Sequence, residues 1–310
     1  LRPAHECYPA PGSKLQHRGS ARVRHLGLAL LPALRPHLAR ADAPAEPRYS
    51  RIAAIDWGLA ETLLGIGVTP IAVGGLENYR RWVGEPVMPD SVQDLGLRTE
   101  PNLELLTQLK PDLILITSQF EAARPWLEKI APVKSLAIYR PDSNPLLTAA
   151  EVTRELGRLT GHEVEAERLI SDLDQHIAAV RAQLAGRTLP PFYLVSFIDD
   201  RHVRVFGDSS LFNAVLERVG LSNAWTGEDN YWGFNQAGIE QLAATPGAAL
   251  IYFAPMPLSA EQTLARSMLW QNMPFVRAQR VHAFPPAWQF GGLMSADHFL
   301  RLLQEALPHD

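Results

Sequence analysis

One arginine, Arg98, lies where the surrounding sequence would hold a charged donor in place. It follows Gly96 in the segment LGLRTEPNLELLTQLKPDLILI, residues 95–116. Leucines at spacings of three predict a short helix that starts near Pro101, and the apolar run Leu113–Ile116 predicts a strand buried on both faces. A guanidinium on a loop before a helix suits an oxygen-rich ligand and keeps its charge at physiological pH. The commoner role of a lone arginine, donation to loop carbonyls, is the alternative.

Aromatic side chains are concentrated in the predicted loops. Five of the seven tryptophans fall in loops or at strand ends, namely Trp57, Trp82, Trp225, Trp232 and Trp288. Loops at the carboxyl ends of parallel strands meet at one edge of a sheet, where ligands bind. Aromatic walls with a few polar groups are typical of small-molecule sites. Trp126 and Trp270 lie in predicted helices and are expected in the core, and loop packing is the alternative for the other five.

Candidate catalytic groups are sparse. Asp199, Asp200 and His202 form the best cluster, but they lie in a predicted turn, and the sequence has no G-x-S-x-G, P-loop or G-x-G-x-x-G motif. The ten histidines show no H-x-H or H-E-x-x-H spacing, and the only cysteine is Cys7. A metal site built from protein ligands is therefore not expected, and neither is an internal disulfide. A solvated turn is favoured over catalysis, so we expect neither an enzyme nor a resident cofactor.

Composition is that of a globular protein with room for two domains. The chain has 310 residues, of which 46% are hydrophobic and 20% charged. The net charge of −4 does not indicate the basic surface that nucleic-acid binding requires.

Residues 1–41 are predicted to be a cleaved secretory signal. Basic residues at 22–25 precede an apolar run at 26–34, and an Ala-Arg-Ala sequence at 39–41 places cleavage near Ala41. The apolar run is too short to span a bilayer. A disordered arm is the alternative.

Two Rossmann-like α/β lobes are predicted, joined by one long spine helix. At a constant offset of 136, residues 103–106 are echoed by residues 239–242, and Leu113–Ile116 by residues 249–252. We expect an N-terminal lobe at 42–160, a connecting helix at 161–187 and a C-terminal lobe at 188–310. The connecting segment has apolar residues at spacings of three and four and no glycine or proline between His162 and Ala185, which predicts a helix of about 30 Å or more.

Other segments carry weaker patterns. Residues 120–130 and 264–272 are predicted helical, residues 135–139 extended, and residues 78–86 a loop.

Several long segments resemble the ferric hydroxamate siderophore-binding proteins of Gram-negative ABC importers. They are LGLRTEPNLELLTQLKPDLIL, NYRRWVGEPVMPDSV, FIDDRHVRVFG, NAWTGEDNYWG and QNMPFVRAQRVHAFPPAW. They occur in the family's order, and the resemblance covers residue 51 to the C-terminus. It implies a monomeric periplasmic binding protein with two lobes and a single spine helix. It also implies a ferric siderophore as ligand, which holds the iron with its own oxygens, and a permease with its ATPase as partner.

The resemblance assigns ligand contacts on both lobes. Arg98 is similar to the family arginine that donates to hydroxamate oxygens, and Trp232 to a tryptophan on the opposite lobe. The other residues implied in binding are Trp57, Trp82, Ile198, Trp225, Tyr231 and Trp288. Four positions depart from the family pattern: Phe120 and Phe290 replace tyrosines, Phe234 replaces a small polar residue, and Arg204 replaces an apolar one. Phe120, Arg204 and Phe290 are still expected at the site, and an inward Arg204 would favour a more anionic ligand.

Acidic residues on top of each lobe dock on the permease in this family. Glu240 is the candidate in the second lobe, and Glu128, or else Glu121, in the first; solvated helix charges are the alternative. Other ligands left open are a mixed or carboxylate siderophore, cobalamin or haem. A siderophore-processing hydrolase that uses Asp199 and His202 is a further hypothesis.

Overall fold

The computed structural model describes residues 48–307. The predicted signal at residues 1–41 and its cleavage site near Ala41 lie outside this range. Within the range, every helix is too short or too polar to cross a membrane.

A parallel sheet of five strands organises the first half of the described chain. Its strands are β1 (Ile52–Ala54), β2 (Ala72–Val73), β3 (Gln93–Asp94), β4 (Leu113–Ile116) and β5 (Val133–Ser135). They lie in the order β3-β2-β1-β4-β5, and their pairings are parallel. All four side chains of β4 are buried, as its apolar run predicts. The strand order reverses at β1, and this type of reversal opens a crevice beyond the carboxyl ends of the strands.

Five helices connect and cover these strands. They are α1 (Trp57–Gly65), α2 (Leu76–Trp82), α3 (Leu103–Leu109), α4 (Arg124–Leu127) and α5 (Pro145–Thr160). Three of them begin at a side chain that accepts hydrogen bonds from the first free N–H groups: Asp56 at α1, Asn102 at α3 and Asn144 at α5.

Three segments of this half differ from the sequence predictions. The predicted loop at 78–86 is helical as far as Trp82, because Leu76, Tyr79 and Val83 are buried at helical spacing. The predicted helix at 120–130 is a 3₁₀ turn, Ser118–Ala123, followed by α4. Pro125 explains the break, since its nitrogen cannot donate to a preceding carbonyl. The predicted strand at 135–139 is β5, which ends at Ser135.

A mixed sheet of five strands organises the second half. Its strands are β6 (Phe192–Phe197), β7 (His202–Phe206), β8 (Phe234–Gly238), β9 (Ala249–Phe253) and β10 (Val281–Phe284). They lie in the order β10-β9-β6-β7-β8. β6, β9 and β10 are parallel, whereas β7 and β8 form antiparallel pairs. The echoed apolar segments, β4 and β9, each pair with the first strand of their sheet, β1 and β6.

Six further helices complete the described chain. They are α6 (Glu163–Leu184), α7 (Leu211–Val219), α8 (Leu258–Leu264), α9 (Met268–Gln271), α10 (Pro274–Arg277) and α11 (Leu293–Ala306). The predicted helix at 264–272 is interrupted, because α8 ends at Leu264 and α9 begins after Ser267, whose side chain accepts from the Trp270 N–H. A 3₁₀ turn, Ile239–Ala243, replaces the helix in the echoed unit.

The long helix α6 carries the chain from the first sheet to the second. It has 22 residues, which corresponds to about 33 Å at 1.5 Å per residue. Leu173, Ile177 and Val180 form its buried face, and α5, α7 and α11 pack around it. The two-lobed α/β architecture with a long connecting helix is thus confirmed, while the lobe boundaries at 160 and 188 stay predictions.

A single apolar cluster runs through both halves of the described chain. It includes Ile52 and Leu115 of the first sheet, and Phe192, Leu194 and Phe253 of the second. Side chains on the opposite faces of the two sheets form two separate clusters. Because the central cluster is shared, a large displacement of one sheet from the other would expose apolar surface to water.

Candidate ligand-binding site

A cavity of about 480 Å³ lies at the carboxyl ends of the first sheet and faces the second sheet. The loops after β1, β3, β4 and β5 supply Asp56, Arg98, Thr117, Ser118, Gln119, Ala137, Ile138 and Tyr139. The second half supplies Arg204, Tyr231, Trp232, Phe234, Trp288 and Phe290. The cavity therefore lies where the strand order of the first sheet predicts a crevice.

The Arg98 guanidinium is stacked on an aromatic floor. Its Cζ lies 3.7 Å from the centre of the Trp57 ring and 5.8 and 5.9 Å from the rings of Phe120 and Trp288. Trp57 is itself fixed, because its Nε1–H donates to the Gly74 carbonyl at 2.7 Å. A Cβ at residue 74 would lie 3.0 Å from Cγ of Arg98, so glycine allows this close approach.

Hydrogen bonds donated by main-chain N–H groups position the loop that carries Arg98. The Gly96 N–H donates to Asp94 Oδ1 at 2.9 Å, and the Gly75 N–H donates to the Gly96 carbonyl at 2.6 Å. The Asn102 N–H donates to the Leu95 carbonyl at 2.7 Å and closes the loop just before α3. Arg98 thus projects from a loop that is tied at both ends.

Asp56 and Arg98 form the charged part of the cavity floor. Oδ1 of Asp56 accepts from the Gly58 and Leu59 N–H groups at 2.9 and 3.2 Å. Burial raises the pKa of the Asp56 carboxyl, and the charge of Arg98 opposes that shift. Burial likewise lowers the pKa of Arg98, and the nearby Asp56 opposes that shift. A guanidinium stays protonated through such shifts, so the floor offers a permanent cationic donor.

Aromatic rings from both halves meet around the cavity. The Trp232 ring lies 5.6 Å from that of Tyr139 and 6.0 Å from that of Phe290. Phe290 in turn lies 5.2 Å from Trp288, and Trp288 lies 4.9 Å from Trp57. The result is one connected aromatic wall with the cationic groups at its edges, an arrangement suited to a largely apolar ligand that presents a few oxygens.

Tyr139 links the loop after β5 to the loop after β10. Its hydroxyl lies 3.0 Å from the Gln289 carbonyl oxygen and 3.1 Å from the Gly291 carbonyl oxygen, and it is the donor to them. Burial raises the pKa of Tyr139 well above its usual value, which keeps this hydroxyl protonated.

The structure separates the predicted ligand-binding residues into three groups. Arg98, Arg204, Tyr231, Trp232, Trp288 and Phe290 line the cavity. Trp57 and Phe120 are buried behind Arg98. Three residues lie elsewhere: Trp82 ends α2, Trp225 packs on the outer core of the second sheet, and Ile198 is exposed after β6.

Asp199 and Asp200 lie in the turn between β6 and β7, and His202 begins β7; all three lie away from the cavity lining. Asp199 Oδ1 accepts from the Arg201 and His202 N–H groups, each at 2.7 Å, and backbone hydrogen bonds lower the pKa of this carboxyl. Its side chain therefore orders a turn. Over residues 48–307, no three His, Cys, Asp or Glu side chains are grouped so as to hold a metal ion.

The sequence of residues 52–287 matches the profile of the periplasmic binding proteins. The chain is also 38% identical over 258 residues to the iron(3+)-hydroxamate-binding protein FhuD of Escherichia coli, covering 83% of this chain and 87% of that protein. The chain belongs to the periplasmic binding protein family.

Two further relatives within this family extend the comparison. A crystal structure of the siderophore-binding protein FhuD from Vibrio cholerae, bound to Fe³⁺–Desferal, superposes with a TM-score of 0.79 at 33% identity, covering 84% of this chain and 98% of that one. The achromobactin-binding periplasmic protein of Dickeya dadantii is 25% identical over 90% of this chain and 92% of its own length.

Part of the cavity lining was not predicted from the sequence. Asp56, Thr117, Ser118, Gln119, Ala137, Ile138 and Tyr139 were not predicted to line it. Each of them follows the carboxyl end of β1, β4 or β5 by a few residues, so the rule that locates crevices in parallel sheets was the available signal.

Proposed function

We propose that this protein captures a ferric siderophore of the hydroxamate type in the cavity between the two sheets. The observation that carries the proposal is Arg98, fixed on Trp57 at the cavity floor and surrounded by an aromatic wall from both halves. The 38% identity to an iron(3+)-hydroxamate-binding protein supports the same ligand class.

The chemistry of the cavity suits such a ligand. A hexadentate siderophore fills the coordination sphere of iron with its own oxygens, so the protein has only to recognise the outside of the complex. The oxygen shell needs charge-assisted donors, and the Arg98 guanidinium supplies them. The organic framework needs apolar surface, and Trp232, Trp288 and Phe290 supply it.

We propose that the protein works in the periplasm and delivers its ligand to the permease of an ABC importer with its ATPase. Glu128 and Glu240 are the proposed docking residues, and both are exposed. Glu128 accepts from Arg124 Nη1 at 3.1 Å, and Arg124 also pairs with Glu121 at 2.6 Å. A permease arginine that docks here would compete with Arg124 for the carboxylates of Glu121 and Glu128.

The test is a titration of the full-length chain followed by intrinsic tryptophan fluorescence. Trp232 and Trp288 line the cavity and Trp57 contacts Trp288, so a coloured ferric complex bound there should quench a large part of the emission. We expect saturable quenching by ferric hydroxamates and much weaker quenching by the iron-free forms. Saturable quenching by cobalamin or haem alone would contradict the proposal, and so would a lack of response to every ferric siderophore in the panel.

A further inference from the structure

Arg204 enters the cavity because of the alternation of β7. Val203 and Val205 are fully buried in the outer core of the second sheet, so the residue between them points to the opposite face. In the antiparallel register Arg204 lies opposite Ser196 of β6 and Gln236 of β8. Its side chain lines the cavity on the wall that faces the first sheet.

The Arg204 guanidinium rests on two phenylalanine rings. Its Cζ lies 4.8 Å from the centre of the Phe234 ring and 5.6 Å from that of Phe290. Within residues 48–307, the buried Nε of Arg204 has no hydrogen-bond partner.

The two arginines of the cavity differ in their electrostatic surroundings. Asp56 offsets the charge of Arg98, but burial is the sole cause of the lowered pKa of Arg204. Among the described residues, the charged side chains that line the cavity are Asp56, Arg98 and Arg204, so the lining holds two guanidinium groups and one carboxyl group. A desolvated cation with an unsatisfied N–H is unfavourable until an anion pairs with it.

We propose that Arg204 forms a second anion subsite, and that the natural ligand is a ferric siderophore that carries a carboxylate in addition to its iron-binding groups. This inference rests on the function proposed above and narrows its ligand class. Three singly charged hydroxamates neutralise Fe³⁺, so a trishydroxamate core alone brings no net charge to Arg204. A free carboxylate would pair with the planar guanidinium through two parallel hydrogen bonds and would satisfy the buried Nε–H.

The experiment compares three ferric complexes that share one trishydroxamate core. Ferric desferrioxamine B has a pendant ammonium group, its N-acetyl derivative has a neutral pendant, and its N-succinyl derivative ends in a carboxylate. Dissociation constants are measured with the full-length chain by tryptophan quenching. We expect the N-succinyl complex to bind about tenfold more tightly than the N-acetyl complex, and the ammonium complex to bind most weakly.

Three variants assign the preference to Arg204. Arg204→Gln should lose the preference for the N-succinyl over the N-acetyl complex, whereas Arg204→Lys should keep part of it. Arg201→Gln removes the same charge from an exposed position in the preceding turn, and it should keep the full preference. Circular dichroism and thermal unfolding show that each variant is folded.

The outcomes separate this inference from the proposed function. Equal binding of the N-acetyl and N-succinyl complexes by the wild type would overturn the anion subsite and leave siderophore binding intact. A preference for N-succinyl that persists in Arg204→Gln would move the subsite to another residue. Failure of these three complexes and of every other ferric siderophore in the panel to bind would overturn the proposed function and this inference together.

Discussion

Arg98 is positioned for binding before any ligand arrives. Its guanidinium is stacked on Trp57, its loop is closed by main-chain hydrogen bonds, and Asp56 holds a compensating charge nearby. A side chain that is already ordered loses little conformational entropy when a ligand binds, so more of the contact free energy appears as affinity.

Replacement of Arg98 by alanine should therefore weaken binding of a ferric hydroxamate at least about tenfold, because a hydrogen bond from a charged donor contributes roughly 1.5–3 kcal/mol. The measurement is tryptophan quenching by the same ferric complex with wild type and variant. Arg81→Ala is the matched control, since Arg81 also lies over a tryptophan, 5.5 Å from the Trp82 ring, but outside the cavity lining. Equal affinities of Arg98→Ala and Arg81→Ala would rule out a binding role for Arg98.

Single residues were predictable where the local pattern determined the loop. Arg98, Trp232 and Trp288 follow or precede strong strand or helix signals, and all three line the cavity. Tyr139 was not predictable in this way, because its partners Gln289 and Gly291 are 150 and 152 residues away in sequence. Only the pairing of the two halves brings those carbonyl groups to its hydroxyl.

At the scale of elements, a buried carboxylate joins α1 to α11. Glu61 of α1 accepts from the Gly292 N–H at 2.5 Å, the Ser295 N–H at 3.3 Å and the Ser295 hydroxyl at 2.6 Å. These groups form the N-terminus of α11, which has no side-chain cap of its own at Gly292. Glu61 thus caps a helix of the other half. Its carboxyl group also lies at the positive end of the helix dipole, where a negative charge is stabilised. A Cβ at Gly291 would lie 2.1 Å from Ser295 Oγ, so glycine is required beside this contact.

Glu61 should make folding stability depend on pH. Burial, which outweighs the hydrogen bonds, raises the pKa of its carboxyl from 4.5 to about 7. Between these values the folded state keeps a proton that the unfolded state has lost. The contribution is therefore fully present below pH 4.5 and is lost as the pH rises through about 7. The loss is on the order of 3 kcal/mol, at 1.36 kcal/mol per pKa unit.

Urea unfolding at pH 5 and pH 8 measures this effect. Glu61→Gln should reduce the fall in the free energy of unfolding between the two pH values, since an amide does not ionise. Glu77→Gln replaces an exposed carboxylate of α2 and should leave the wild-type fall unchanged. If the fall is the same in Glu61→Gln and the wild type, another group causes it.

Elements with strong apolar periodicity were predicted well, and elements held by tertiary contacts were not. β4 has the predicted bounds, and α6 begins two residues after and ends three residues before the predicted connecting helix at 161–187, because their apolar spacing fits one geometry. β3 was missed because its two residues, Gln93 and Asp94, are exposed and are extended only through pairing with β2. The break between α8 and α9 depends on the Ser267 cap, which competes locally with a continuous helix.

At the scale of the whole molecule, the two halves are joined by more than a linker. The central apolar cluster is continuous through both sheets, and α11 packs on α1, α5, α6 and α7. His176 of α6 lies 2.6 Å from Asp297 and 2.6 Å from Gln304, both on α11. Closure around a ligand would therefore have to bend two packed helices or open a shared core, and both cost more than hinge motion in flexible strands.

Ligand binding should accordingly change the distance between the halves by less than about 2 Å, the range of pre-organised binding proteins. Spin labels on Glu104→Cys of α3 and Glu261→Cys of α8, in a chain with Cys7→Ser, report this distance by pulsed electron resonance with and without ferric siderophore. Both label sites are exposed.

A glycine variant tests which part of the molecule restrains closure. The pair Ala178→Gly and Ala179→Gly, on the exposed face of α6, weakens that helix by about 1 kcal/mol per site. If α6 itself limits closure, the distance distribution of this variant should broaden; if the shared core limits it, the distribution should stay narrow. A ligand-induced shift of several ångströms in the wild type would show that neither restrains the halves, and that the cavity closes by a hinge.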